Sequence, residues 1–304
     1  MKIVCIILSF LIVPFLALNQ INYKSSLEEA IAASKKENKP LCIKFYADGC
    51  SHCMQLQAVL DQDSVTEYFN KNFVCYALEA SHIKRSESLF LKNNHLFPNG
   101  TPYLFFFKPE GGFLHYGRPK TEAQYVLGVA KKVFIKGERS SEMMAKYLAG
   151  ERDLLFIKKF SRHAQLTNDT ALVNKLADHI FEQYDKEKLM SSNSLAVTNI
   201  YVKSINNGFF KFWMENFTKL DFIMPKAKLS KKREVFTKIL VHDINLYKKT
   251  WSLDKLKKVV DYTQITRLNK NKHIFVWEEE AILMINQNLQ SEALELSNYM
   301  FQME

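Results

Sequence analysis

The sequence predicts an α/β domain, a central mixed sheet flanked by helices, followed by an all-α domain. Two observations carry this reading. Six of the seven prolines and seven of the nine glycines precede residue 140, and after Gly150 only Gly208 and Pro225 remain. The first part is therefore punctuated by turns and the second reads as nearly continuous helix. Short apolar runs bounded by turn residues mark strands in the first part, and apolar residues at helical spacing recur through the second. At 304 residues there is room for about two domains. The 47% hydrophobic and 24% charged content is that of a chain with real cores, not a disordered one.

In the first part, Ser26-Leu27-Glu28-Glu29 is a capping box that opens a helix, which Asn38-Lys39-Pro40 closes. Leu41 to Ala47 (LCIKFYA) is an apolar run of strand length, and Ser51 to about Asp61 reads as helix. Ser64 to Glu67 is a second capping box. Phe73 to Leu78 (FVCYAL) is a strand with neighbours on both faces. A helix near Ser86 to Lys92 and the strand Tyr103 to Phe107 (YLFFF) follow. Pro109-Glu110-Gly111-Gly112 turns the chain into Phe113 to Tyr116, and Thr121 to Lys136 closes the domain. The expected order is α, β, α, β, α, β, β, α.

In the second part Leu172, Leu176, Ile180 and Tyr184 form an i, i+4 stripe flanked by Val173 and Ala177. Phe156 and Phe160, Phe236 and Leu240, and Leu289, Ala293 and Leu296 repeat the theme. About eight helices of ordinary length fit between Ser141 and Met303. No fixed-period repeat stands out, so a bundle and a short helical-repeat array both remain open.

The chain starts Met1-Lys2, followed by an apolar run from Ile3 to Leu18 broken only by Ser9 and Pro14. That run is short for a membrane span, which takes about 20 residues, and suits a secretory signal peptide over residues 1–20. An uncleaved membrane anchor is the alternative. Either way the functional part is expected outside the cytoplasm, periplasmic or secreted, and no second hydrophobic span follows. Cleavage removes Cys5 and leaves Cys42, Cys50, Cys53 and Cys75. Four cysteines in a chain this long make no disulfide scaffold, and two of them form a single C-x-x-C.

That pair lies in Phe45-Tyr46-Ala47-Asp48-Gly49-Cys50-Ser51-His52-Cys53, where a strand ends and a helix begins. At a helix N-terminus unpaired N–H groups and the dipole favour an anion, here the Cys50 thiolate. Cys53 stands roughly one turn further, within reach of a mixed disulfide at Cys50. Cys50 is thus the candidate nucleophile and Cys53 the resolving thiol of a redox-active disulfide. A zinc site needs two more ligands; there is no second C-x-x-C, and His82, His95 and His115 lack ligand spacing. A structural disulfide accounts for nothing else in the segment. No metal and no cofactor are expected.

The segment KPLCIKFYADGCSHCMQL resembles the strand, active-site loop and long helix of the thioredoxin superfamily, and TPYLFFFKPEGG resembles its cis-proline turn, strand and hairpin. Ser64 to Leu78 resembles the following region of short secreted thioredoxin-like proteins. The resemblance spans about Asn22 to Lys136 and implies a thioredoxin fold. The expected organisation is a signal peptide (1–20), a thioredoxin-like domain (21–136) and an all-helical domain (137–304). It also implies that Pro102 is a cis-proline facing the dithiol and that Thr101 offers its backbone to an extended peptide substrate. His52, before the second cysteine, is similar to the C-x-H-C loops of disulfide isomerases and dithiol oxidases, where an imidazole favours the thiolate. Many secreted relatives are instead reductases fed by a membrane partner, so direction stays open.

Two departures from the family pattern stand out. The buried acid usual six residues before the first cysteine is replaced by Lys44, for which Glu79 at the end of the next strand is the expected partner. The aromatic usual before the first cysteine is replaced by Gly49. Cys42 and Cys75 fall on strands expected to be neighbours and read as buried free thiols, with a second disulfide as the alternative.

The net charge is +10. Lys219 to Lys272 alone holds 15 basic and five acidic side chains. This suits either the solvated faces of helices or a surface for anionic lipid or an acidic partner. No nucleic-acid motif, Walker A loop, G-x-S-x-G elbow or dinucleotide fingerprint is present. The expected activity is thiol–disulfide exchange with exported proteins bearing thiols or disulfides, with a membrane electron-transfer partner among the expected partners and nucleic acid excluded. The competing reading is a non-catalytic module that binds a peptide or partner at the cis-proline surface and the helical domain. The sequon Asn99-Gly100-Thr101 lies against the proposed site, where a glycan would obstruct it. A bacterial periplasm or surface is therefore favoured over a eukaryotic secretory route.

Overall fold

The computed structural model describes residues 20–118, 121–225 and 229–303. The expected signal peptide falls, but for Gln20, outside the described residues. Two compact units are present: one runs to Asn94 and resumes at Pro98–Glu142, and the other joins His95–Phe97 to Met143–Glu304.

The first unit contains β1 (Tyr23–Lys24), α1 (Leu27–Glu37), β2 (Leu41–Tyr46), α2 (Ser51–Leu60), α3 (Asp63–Asn72), β3 (Val74–Glu79), α4 (Arg85–Asn93), β4 (Tyr103–Phe107), β5 (Phe113–Gly117) and α5 (Ala123–Lys132). The five strands form one sheet in the order β1-β3-β2-β4-β5. β1, β3 and β2 run parallel, while β4 and β5 are antiparallel to their neighbours. Alternate residues of a strand face opposite sides, and both sides of this sheet are covered. Cys42, Cys75, Leu104 and Phe106 pack with Leu56 and Leu60 of α2, Val65 and Phe69 of α3 and Val126 and Ala130 of α5. On the other face Phe107 meets Phe90 of α4 at 4.8 Å between ring centroids, and the Tyr76 hydroxyl donates to Glu87.

Helix starts follow local chemistry, with two departures from the sequence reading. At α1 the Ser26 hydroxyl accepts from Glu29 N–H at 3.1 Å, but the Glu29 carboxylate reaches Ser25, one residue further back than a capping box requires. α3, absent from the expected element order, begins at Asp63, so Ser64 lies inside its first turn and caps nothing; Val65 and Thr66 N–H groups bond the Gln62 carbonyl instead. The Thr66 hydroxyl donates to Leu60 O at 2.7 Å and ties this tight α2–α3 turn. β1 also escaped the sequence reading, because two residues are too few to show a period.

The second unit is all helix among the described residues: α6 (Met143–Leu148), α7 (Leu154–Leu166), α8 (Thr170–Glu182), α9 (Lys186–Leu189), α10 (Ser192–Tyr201), α11 (Gly208–Glu215), α12 (Leu220–Ile223), α13 (Leu229–Tyr247), α14 (Leu253–Thr266), α15 (Trp277–Asn286) and α16 (Gln290–Gln302). Side-chain caps recur at Asp153, Asp169, Asp185, Ser191, Asn207 and Ser252, each accepting a first-turn N–H. The predicted stripes point inward: Phe160, Leu176, Ile180, Phe236 and Leu240 share one core with Trp213.

A pH dependence follows from α7. Burial pushes the His163 imidazole down to about 4. The unfolded chain takes up this proton near pH 6.5 and the folded chain does not, so stability is full above about 6.5 and falls as pH drops toward 4. Urea unfolding at pH 7 and pH 4.5 should show wild type losing on the order of 1–3 kcal/mol more than His163→Gln. Equal losses in both proteins would remove His163 from the account.

Candidate active site

Six residues of β2 carry the chain across the middle of the sheet and release it at Ala47 into a short loop. Gly49 has φ +70, in the left-handed region, and an added β-carbon would meet nothing within 4 Å. Conformation rather than space therefore selects glycine here. The loop is fastened at Asp48, whose N–H donates to the Glu79 carboxylate at 3.4 Å. That carboxylate also accepts from Ser81 N–H at 3.0 Å and lies 2.8 Å from His82 Nδ1. The Ser81 backbone bond, helped by the Ser81, His82 and Asp48 bonds, holds Glu79 down at about 2.

Cys50 is the N-cap of α2 with extended backbone, and its Sγ accepts from Cys53 N–H at 3.2 Å. Cys50 and Cys53 form a disulfide with Cα atoms 5.2 Å apart. Cys53 is buried on α2, while Cys50 is half-buried. The Thr101–Pro102 peptide is cis, and the Thr101 hydroxyl points at Cys50 Sγ at 3.4 Å. The structure thus brings together Cys50, Cys53 and Thr101, with Pro102 next in the chain. The imidazole of His52 is exposed, its Nδ1 3.5 Å from Ser51 Oγ.

Lys44 does not pair with Glu79. In the parallel register Lys44 stands opposite Ala77 and Glu79 opposite Tyr46, and Glu79 is committed to the loop and Ser81. The Lys44 ammonium turns to α2, where it donates to Gln57, whose amide in turn donates to Asp61 at 2.7 Å. It lies 4.5 Å from the Tyr46 ring centroid and 5.1 Å from that of Tyr23. Burial pushes this ammonium below the usual lysine range, against the opposing pull of Asp61. Gln57 is one turn beyond Cys53 on the same helix, so a cation stands beneath the dithiol helix where the family pattern has an acid.

Cys42 and Cys75 face each other in register and are free thiols, each 2% exposed. Burial, with Cys75 beside it, pushes the Cys42 thiol well above its usual range and leaves it unreactive. Among the described residues no three His, Cys, Asp or Glu side chains gather as a metal site.

Sequence reasoning missed Arg118. Its guanidinium donates to the Thr101 carbonyl at 3.4 Å and lies 4.8 Å from the Tyr103 ring centroid. The hairpin pairs Leu104 with Gly117 and so carries Arg118 to the cis-proline turn. Only the register of β4 and β5 could have disclosed this.

Fold and site define the first unit as a thioredoxin-like domain with a disulfide at the N-terminus of its α2 helix. Chemically, such a pair can be opened by an attacking thiolate or, when reduced, attack a disulfide itself. Residues 22–109 match the family described as thioredoxin-like. Among solved structures the chain is similar to a disulphide isomerase from Xylella fastidiosa Temecula1 (19% identity, 37% of this chain and 87% of that one, TM-score 0.28). It is also similar to a thioredoxin from Thermus thermophilus (19%, 39% and 90%, 0.31) and to the DsbH oxidoreductase (20%, 38% and 87%, 0.33). No curated protein matches the chain.

Proposed function

We propose that this protein is an exported thiol–disulfide oxidoreductase acting on protein substrates in the periplasm or outside the cell. One observation carries the reading: Cys50 caps α2 in a disulfide with Cys53 and has the hydroxyl of Thr101, the residue before cis-Pro102, against its sulfur. In the reduced protein the Cys50 thiolate attacks a substrate disulfide. A Cys50–substrate bond forms, the substrate S–S bond breaks and one substrate sulfur leaves as thiolate. Cys53 then attacks Cys50 Sγ, releases the second substrate thiolate and restores the Cys50–Cys53 disulfide, two electrons having passed to the substrate. The steps reversed make the protein an oxidant. The Cys53 N–H directed at Cys50 Sγ and the α2 dipole stabilise the attacking thiolate. Thr101 and Pro102 are the surface on which an extended peptide docks. Reduction of insulin by the protein, with dithiothreitol as electron source and the uncatalysed rate subtracted, tests the reading. No acceleration would count against it.

His52 decides between the directions. If its imidazole supports the Cys50 thiolate, His52→Gly raises the Cys50 pKa, removes stabilisation from the reduced form and lowers the potential by at least about 30 mV. Thiolate absorbance against pH and redox titration against glutathione measure the two quantities. Unchanged values would leave thiol reactivity to the helix terminus and remove this support for an oxidising role. Lys44→Ala belongs in the same series, because its cation beneath α2 can mask the effect.

A further inference from the structure

The basic stretch noted in the sequence is partly neutralised within the second unit. Lys232 Nζ meets Asp221 at 2.6 Å, Lys238 pairs with Glu234, and Lys248 meets Glu279 at 3.1 Å. Two arginines of the stretch are not. Arg233 on α13 and Arg267, just past the end of α14, line one cleft of about 540 Å³. Among the described residues neither guanidinium has an ion-pair or hydrogen-bond partner, and Arg233 Nε is buried without an acceptor.

Three features bear on what this pair of arginines is held for. First, the two guanidinium side chains take no part in closing α14. The helix end is closed by backbone, Arg267 N–H to Gln264 O and Leu268 N–H to Thr263 O, both at 3.1 Å. Second, Arg267 has φ +46, a left-handed position that glycine or asparagine adopts with less strain. A bulky cationic side chain is held there against backbone preference. Third, two like charges share the cleft: burial and the Arg267 charge both push Arg233 below the usual arginine range. The carboxylate that also lines the cleft, Glu234, is engaged by Lys238, and the Thr237 and Thr266 hydroxyls give their protons to backbone carbonyls. The donors left are the two guanidinium forks and Ser230.

We propose that the α13–α14 cleft binds a phosphate-class dianion between Arg233 and Arg267. Planar guanidinium forks match phosphate oxygens two at a time, and a dianion balances both cations where a carboxylate would leave one uncompensated. Leu268 and the remaining volume leave room for an organic group on the phosphate. Free phosphate compounds and a lipid headgroup share this chemistry.

The test titrates the protein with inorganic phosphate at constant ionic strength, by calorimetry and thermal shift, with chloride as control. A second arm co-sediments it with phosphatidylcholine vesicles with and without phosphatidic acid. Saturable phosphate binding, weakened about tenfold or more in both Arg233→Gln and Arg267→Gln, is the expected result. Loss of phosphatidate-vesicle binding in the same variants assigns the source to lipid; phosphate binding without vesicle binding assigns it to a free compound. Arg267 is exposed, so its variant decides the matter even if Arg233→Gln fails to fold. Neither phosphate nor phosphatidate binding in wild type, or binding unchanged in Arg267→Gln, overturns the site.

Discussion

Replacing Cys50 by serine is expected to abolish disulfide exchange, reducing insulin turnover to the uncatalysed rate. The hydroxyl keeps the geometry of the α2 cap but supplies no thiolate near neutral pH. Cys53→Ser has a different signature. Cys50 still attacks, nothing resolves the product, and a covalent complex with substrate accumulates that dithiothreitol releases. The asymmetry follows from burial: Cys50 is half-buried beside Thr101, whereas Cys53 is buried behind it and reaches only the sulfur bonded to Cys50. Non-reducing gels and intact mass measure both outcomes. Trapping through Cys53 in the Cys50→Ser protein would reverse the roles. Unaltered turnover in Cys50→Ser would place the exchange chemistry on a thiol other than Cys50.

The largest stability effect should come from the helical unit. Trp213 is fully buried at the centre of its core, and its indole N–H donates to the Ser194 hydroxyl at 3.2 Å. Trp213→Ala removes a large apolar side chain and leaves that hydroxyl without its donor, at a cost of about 3–5 kcal/mol. For a unit of this size the melting temperature should fall by roughly 10 °C. Differential scanning calorimetry with Trp213→Phe alongside separates volume from the hydrogen bond, the phenylalanine variant losing less. A loss under about 1 kcal/mol in Trp213→Ala would mean that the core does not depend on this contact.

Much of this molecule was legible in the sequence, and the exceptions share a cause. LCIKFY, FVCYAL and YLFFF announced the central strands because burial on both faces demands apolar runs. The dithiol was legible because a strand-to-helix junction is a local pattern. β1 was not, since Tyr23 and Lys24 are strand only through β3. Register settled what local pattern could not: it opposes Glu79 to Tyr46 and not to Lys44, and it delivers Arg118 to Thr101. The helical stripes marked each buried face correctly, but the meeting of Arg233 and Arg267 depends on how α13 and the end of α14 come together. No spacing along the chain encodes that.

The most direct test of the central claim is a redox equilibrium. The protein is incubated in glutathione buffers of graded potential; one aliquot is quenched with a thiol-alkylating reagent and mapped by mass spectrometry, and a parallel unquenched aliquot is assayed for exchange with insulin. One two-electron transition is expected, in which Cys50 and Cys53 change together within about −270 to −120 mV while Cys42 and Cys75 stay thiols throughout. Exchange with insulin should follow the reduced fraction of that pair. A Cys50–Cys53 disulfide that resists reduction across the whole range, or insulin exchange that tracks Cys42 and Cys75 instead, would contradict it.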